Sequence, residues 1–186
     1  LAPKLDQAAL VYDGFHKMVK AEPELLELAR KRRSDIYIEE TESFVKPIAF
    51  NAKKSDGFNP QLVVCDEMAA WSGDAGLKQY EVMKSALGAR RQPMILSIST
   101  AGYINDSIYD ELMKRSTSFL KGNSKERRLL PFIYMIDDVE KWNDIEELKK
   151  ANPNMGVSVK EGFFIDEIAV AEGSLSKKAE FLTKYC

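Results

Sequence analysis

Cysteine and histidine are scarce in this chain. Two cysteines, Cys65 and Cys186, and one histidine, His16, occur in 186 residues. A zinc centre of Cys and His needs about four ligands, so these residue types cannot supply one. Two cysteines without a spacing framework fit a reducing compartment rather than a disulfide scaffold. A histidine-based triad would have to use His16, which sits in "GFHKMV" inside a helical pattern. No apolar run approaches the roughly 20 residues of a membrane span, and no signal-peptide pattern occurs. Charge of one sign is lacking too: 27 Lys plus Arg stand against 29 Asp plus Glu, a net charge of -2. That balance gives no global electrostatic case for nucleic-acid or membrane binding. The best local basic cluster, "ARKRRS" at 29 to 34, reads as a solvated helix end, where cations suit the dipole.

A further absence concerns phosphate chemistry. No glycine is followed by lysine, so the phosphate-cradling loop G-x-x-x-x-G-K-[ST] is not in this sequence. "GDAG" at 73 to 76 lacks the lysine and a strand of its own. What is present is ordinary for one globular domain with a core: 45% hydrophobic and 30% charged residues. The chain opens on Leu1, in mid-pattern, which suggests a piece of a longer protein.

Periodicity supplies the architecture. "LDQAALVYDGFHKMVKAEP" places Leu5, Ala8, Tyr12, Phe15 and Val19 at helical spacing. "PELLELARKRR" restarts as a second helix with Pro23 in its first turn. "DIYIEE" and "SFVKPIAF" read as a paired ribbon, and "NAKKSDGFNP" as a loop. "QLVVCDE" and "PMILSIST" are short apolar runs and read as buried strands. The stretch between them reads as a helix with Leu77, Tyr80, Met83 and Leu87 on one face, ending near Gly88. "NDSIYDELMKRSTSFLKG" predicts another helix, with Ile108, Leu112, Phe119 and Leu120 inward. "RRLLPFIYMID" predicts a third strand, at an edge or beginning at Pro131. Strand, helix, strand, helix, strand implies a parallel sheet with right-handed crossovers. Residues 138–186 read as a small helical appendage.

In open α/β sheets, ligands bind beyond the carboxyl ends of the strands. Asp66 and Glu67 end one strand, and Ser97, Ser99 and Thr100 end the next. A strand-end Asp can hold Mg²⁺, an adjacent Glu can polarise an attacking water, and neighbouring hydroxyls can sense a terminal phosphate. The same residues also fit a plain strand capped by acids and a Ser/Thr turn. Trp71 has two readings as well, a contact residue near the site or, the favoured one, a residue packing its loop onto the core.

The segments "LAPKLDQA", "DGFNPQLVVCDEMAAW", "GARRQPMILSISTAG", "WNDIEELKKANPNMGVSV" and "AEFLTKYC", in this order, resemble the large terminase subunit of tailed bacteriophages, the DNA-packaging motor. The resemblance implies a partial P-loop NTPase (RecA/ASCE-like) α/β three-layer fold with a parallel sheet. Residues 1–137 would be the later part of the ATPase domain. Residues 138–186 would be a helical lid or linker leading toward a nuclease domain. "VVCDE" matches the Walker B motif, so Asp66 would serve Mg²⁺ and Glu67 would activate water. "STAG" matches the coupling motif, with Thr100 and Ser97 as its residues. "LAPKLDQA" resembles helicase motif Ia, and the Walker A loop would precede Leu1. Where related motors carry an Arg-Gly before the Walker B strand, this sequence has Asp56–Gly57, so Arg90 and Arg91 become the candidate arginine fingers or sensors. The resemblance further implies ATP and Mg²⁺ as cofactors. Its partners would be double-stranded DNA, the portal protein, the small terminase subunit and other copies in a ring. It would work in the host-cell cytoplasm, docked transiently on the procapsid and away from membranes. The parent would also be an endonuclease, and this piece alone would be inactive. A helicase-like superfamily ATPase and a non-catalytic α/β interaction module are the alternatives.

Overall fold

Tyr12, Ala8 and Val19 are buried on one face of α1 (Leu5–Ala21), as their spacing predicts. Glu22 is extended and Pro23 occupies the first position of α2 (Pro23–Leu28), because the residue before proline disfavours the helical region. The computed structural model describes residues 1–51, 55, 57–102 and 107–186.

The second helix is shorter than its sequence suggests. Ala29 turns extended, and Ala29–Lys31 forms strand β1, paired antiparallel with β2 (Ile36–Ile38), which pairs in turn with β3 (Ser43–Val45). "ARKRRS" is therefore an edge strand and its turn, not a helix end. Strand pairing outweighs the helix propensity of these residues. The turn is closed by Arg32, whose backbone N–H donates to the Asp35 carbonyl at 2.8 Å and whose guanidinium donates twice to the Asp35 carboxylate. The expected ribbon of β2 and β3 is present, with β1 added to it.

"QLVVCDE" and "PMILSIST" give β4 (Leu62–Cys65) and β5 (Met94–Ser97), parallel and in register from Leu62↔Met94 to Cys65↔Ser97. They are joined through α3 (Gly73–Ala86), which buries Tyr80 and Met83. Along the other side of β4 the Leu1 nitrogen donates to the Val64 carbonyl at 2.7 Å, and the Asp66 N–H donates to the Leu1 carbonyl at 3.1 Å. This is a parallel-strand pattern. Val63 and Cys65 face the core. The opposite face is open, with Met94 53%, Leu96 44% and Ile98 48% exposed. The expectation of two fully buried strands thus holds for one face only.

α4 (Ile108–Leu120) buries Ile108 but leaves Leu120, expected inward, exposed. Gly122 follows it at φ 74°, the left-handed position that favours glycine after a helix. The expected strand in "RRLLPFIYMID" is not formed among the described residues. Leu130, Phe132, Tyr134 and Met135 are exposed, Pro131 has no N–H to give a ladder, and the Ile136 N–H donates to the Cys186 carbonyl instead.

The chain divides into two compact units, Leu1–Ser99 with Ile104–Asp110, and Thr100–Tyr103 with Glu111–Cys186. In the second, α5 (Ile145–Ala151), α6 (Glu161–Glu172) and α7 (Leu175–Tyr185) surround a core of Ile136, Trp142, Leu148, Phe164, Ala171 and Phe181. Trp142 anchors this core edge-on to Phe181 at 5.5 Å.

Candidate nucleotide-site edge

The register Cys65↔Ser97 brings the carboxyl ends of β4 and β5 side by side. The ladder continues past both strands: the Ile98 N–H donates to the Cys65 carbonyl at 2.9 Å, and the Met68 N–H to the Ile98 carbonyl at 3.1 Å. The chain after β4 is thereby folded over the end of β5. The Ser99 hydroxyl accepts the Ala69 N–H at 2.8 Å, which ties the second strand end to the short turn Met68–Ala70. Asp66, Glu67 and Ser99 share one edge, as the sequence pattern requires. Ser97 is the last paired residue of β5, and Thr100 begins the second unit. Ser99 is the hydroxyl that bridges the strand ends. Its signal was its place just beyond the last paired residue, where a side chain reaches over the neighbouring turn.

Glu67 has φ 51° and ψ 57°. Among the described residues, only Glu42 is another non-glycine with positive φ. This left-handed conformation costs an L-residue roughly 1–2 kcal/mol. Backbone strain of this kind persists only where the surroundings over-determine it, and it concentrates at functional sites. Here the surroundings are visible on both sides of the residue. Upstream, Asp66 is held by its N–H to Leu1 and by its carbonyl, which accepts the Trp71 indole N–H at 2.9 Å. Downstream, the Glu67 carbonyl accepts the Ala70 N–H at 2.9 Å.

Trp71 is fully buried, lies edge-on to Phe50 at 4.6 Å, and packs so closely on α3 that a Cβ at Gly76 would sit 3.0 Å from its own Cβ. The packing reading of Trp71 is the one the geometry supports, with an added role: its indole latches the strand exit. The loop before β4 is pinned in a similar way. Gln79, wholly buried on α3, accepts the Asn51 N–H at 2.8 Å and donates to the Ser55 hydroxyl at 3.0 Å. Asp56 lies outside the described residues.

Arg90 and Arg91 stand elsewhere. They precede β5, at its amino end, whereas the acidic pair follows the carboxyl end of β4. Four strand residues, about 13 Å at about 3.3 Å each, separate the two ends. Arg90 is committed locally, its guanidinium donating to the Asn59 carbonyl at 2.9 and 2.5 Å. Arg91 is exposed beside Gln61 and Gln92. His16 is also remote, on α1, with Nδ1 3.4 Å from the Lys31 ammonium. Partial burial, then Lys31, lowers its pKa. Cys65 is sealed under the sheet, and burial pushes its thiol up to about 12, so it is no nucleophile.

Among the described residues no three His, Cys, Asp or Glu side chains converge on a metal position. A Mg²⁺ site would not require such a cluster, because the ion keeps several waters and takes one or two carboxylates plus substrate phosphates. Asp66 is half-buried and makes no hydrogen bond or salt bridge through its carboxylate among the described residues. It is a hard oxygen donor of the kind that fits the ion.

Residues 1–118 match the family model described as terminase large subunit, ATPase domain. Protein YmfN of Escherichia coli (strain K12) is 35% identical over 134 residues, covering 72% of this chain and 29% of that protein. Among solved structures, the crystal structure of the HK97 bacteriophage large terminase aligns with a TM-score of 0.80 at 22% identity. The alignment covers 99% of this chain and 38% of that one. At that identity the likeness concerns the fold, which is the α/β fold with a parallel sheet expected from the sequence. The family match spans both strands, the acidic pair and the hydroxyl-bearing turn, and on it the chain belongs to the terminase large subunit family, as part of its ATPase domain.

Proposed function

We propose that this chain carries the metal-and-water edge of the ATPase site in a phage DNA-packaging motor, the parent protein coupling ATP hydrolysis to double-stranded DNA translocation. The observation that carries the proposal is Glu67, held in the left-handed region beside Asp66 and over-determined by hydrogen bonds on both sides. Asp66 would hold Mg²⁺, directly or through water, and the ion would supply charge neutralisation for the substrate phosphates. Glu67 accepts a proton from the attacking water. Ser99 links the turn after Glu67 to the end of β5, so a shift of one strand end is felt at the other. With Ser97 and Thr100 it forms the coupling segment "SISTAG". A phosphate-cradling loop is absent from this sequence, and among the described residues β5 has a free edge beside its open apolar face. We place the parent's P-loop strand there. Arg90 holds the loop before β5, and Arg91, at the end of the sheet away from the acidic pair, acts on a neighbouring subunit's nucleotide in a ring. The ring, the portal, the small subunit and the helical lid or linker of residues 138–186 follow the family reading, as do a nuclease domain in the parent and work in the host cytoplasm at the procapsid.

The test uses two proteins. The 186-residue chain alone should bind Mg·ATP negligibly in calorimetry and turn over none. In the intact subunit, Glu67→Gln should keep ATP binding within about threefold and reduce turnover by at least about 100-fold, the usual reach of a positioned general base. Turnover by the isolated chain, or a Glu67→Gln subunit with ordinary kcat, would overturn the assignment.

A further inference from the structure

A buried side chain bears directly on the left-handed backbone of Glu67. The peptide unit is planar and rigid, so the direction of the Asp66 carbonyl and the φ of Glu67 turn together. The Trp71 indole N–H, 2.9 Å from the Asp66 carbonyl oxygen, therefore acts on the residue that follows. An indole donates and does not accept. It tolerates the peptide plane with the oxygen toward it and rejects the reverse, which would set the Glu67 N–H against its own N–H. Away from water, a donor or acceptor left without a partner is costly, so burial sharpens that choice.

The indole is itself fixed. Its ring meets Phe50 edge-on at 4.6 Å, and Asn51, the next residue, is tied through its N–H to Gln79 on α3. Gly76 on the same helix lies against Trp71. A Cβ there would stand 3.0 Å from both the Cβ and the carbonyl oxygen of Trp71, a close approach that glycine permits. The Trp71 backbone N–H donates to the Met68 carbonyl at 3.0 Å, and the Met68 N–H to the Ile98 carbonyl at 3.1 Å. Helix, loop and neighbouring strand thus hold the ring from three sides. It cannot follow the Asp66–Glu67 peptide if that peptide turns, and the hydrogen bond would be lost.

We infer that Trp71 is a positioning residue for the strand-end site: its indole N–H, by holding the Asp66 carbonyl, selects the left-handed backbone that aims Glu67. Trp71 is wholly buried, so it works through Glu67 and not on the attacking water. The inference rests on the reading of Glu67 as the base and names what orients it. A reacting group displaced by about 1 Å can lose about 100-fold in rate, while contacts made equally in ground and transition states are unaffected. Loss of the indole N–H therefore falls on kcat and spares KM.

The test has a melting arm without ATP and a kinetic arm. In the 186-residue chain, Glu67→Gly should melt about 1–4 °C above Glu67→Ala while Trp71 is intact, because left-handed backbone favours glycine. Combined with Trp71→Phe, which keeps a buried ring and removes the N–H, that advantage should vanish or reverse. Benzothienylalanine in place of Trp71 keeps the indole shape with sulfur for the N–H. It should give the same result, and it serves if Trp71→Phe fails to fold. Phe50→Leu loosens the packing but leaves the indole bond, and should preserve the glycine advantage. In the intact subunit, either replacement of Trp71 should lower kcat for ATP at least about tenfold and change KM less than about threefold, and Phe50→Leu should leave kcat within about threefold. No glycine advantage with Trp71 intact, an advantage that survives loss of the N–H, or one lost equally with Phe50→Leu would each overturn the inference. So would ordinary kcat without the indole N–H in a subunit whose Glu67→Gln variant has lost turnover. Ordinary turnover by Glu67→Gln would overturn the catalytic reading instead, and the melting comparison would still decide whether the indole sets this backbone.

Discussion

Replacing Glu67 by glycine should make the protein more stable than replacing it by alanine. Nearly everywhere else in a folded chain the order is the reverse. At φ 51° and ψ 57° an alanine keeps the left-handed cost of roughly 1–2 kcal/mol. Glycine escapes that cost but gives up about 0.5–1 kcal/mol of unfolded-chain entropy. The difference favours glycine by roughly 0.5–1 kcal/mol, which for a chain of this size moves Tm by about 1–4 °C. Comparing Gly with Ala, rather than with Glu, cancels whatever the Glu67 side chain touches. A matched pair at Lys78, exposed on α3, supplies the opposite sign: Lys78→Gly should be less stable than Lys78→Ala by about 1 kcal/mol. Urea denaturation with a common m-value reads both differences. In the intact subunit Glu67→Gly should also abolish ATP turnover, so stability and activity part company at one residue. A Glu67→Gly protein no more stable than Glu67→Ala would refute the strain argument.

Two further outcomes follow from the buried polar contacts. Trp71→Phe removes the indole N–H from the Asp66 carbonyl and shrinks a fully buried side chain. It should cost roughly 2–3 kcal/mol in chemical denaturation, from a carbonyl without its donor plus a cavity. In the second unit, Glu147 accepts the Lys150 ammonium at 2.8 Å and the N–H groups of Asp137 and Asp138 at 2.6 and 3.2 Å, which hold its carboxyl below the ordinary 4.5. Its stabilisation is therefore complete above about pH 4.5 and is lost as pH falls through the lower folded value. Glu147→Gln should flatten that acid limb of the stability–pH curve, measured by thermal melts from about pH 3 to about pH 6.

Much of this was legible because it is local. Alternating or continuous apolar runs located β2 to β5, and helical spacing located α1, α3 and α4. The acid-terminated "VVCDE" and the hydroxyl-rich "SISTAG" fell on neighbouring strand ends because parallel strands separated by one helix align their carboxyl ends. What failed was decided by partners far along the chain. Ala29–Lys31 has good helix formers, yet Ile36–Ile38 captured it as a strand. "LLPFIYM" has strand chemistry, yet a strand needs a ladder, and no described strand pairs with it. Glu67's strain was illegible for a different reason. A left-handed glutamate has no composition signal, and the hydrogen bonds that bracket it, made with partners such as Leu1, Trp71 and Ile98, are not legible in the local sequence.

The open face of β5 bears on the same site. A parallel sheet is ordinarily covered on both faces, yet Met94, Leu96 and Ile98 stand about half exposed on one side of β5. The backbone groups of these even residues point to β4, as the Met94 and Ile98 N–H bonds to Gln61 and Cys65 demonstrate. In a strand, alternate residues direct those groups to opposite edges, so Ile95 and Ser97 present theirs to the side away from β4. Pro93, the next residue in that series, has no N–H to present. A strand added there would therefore find a ladder of two residues beginning past the proline and ending beside Ser99. Its own carboxyl end would arrive next to the turn that holds Glu67. The apolar side chains that now meet solvent and the edge left unpaired among the described residues thus specify one and the same direction of approach, and it leads to the acidic pair.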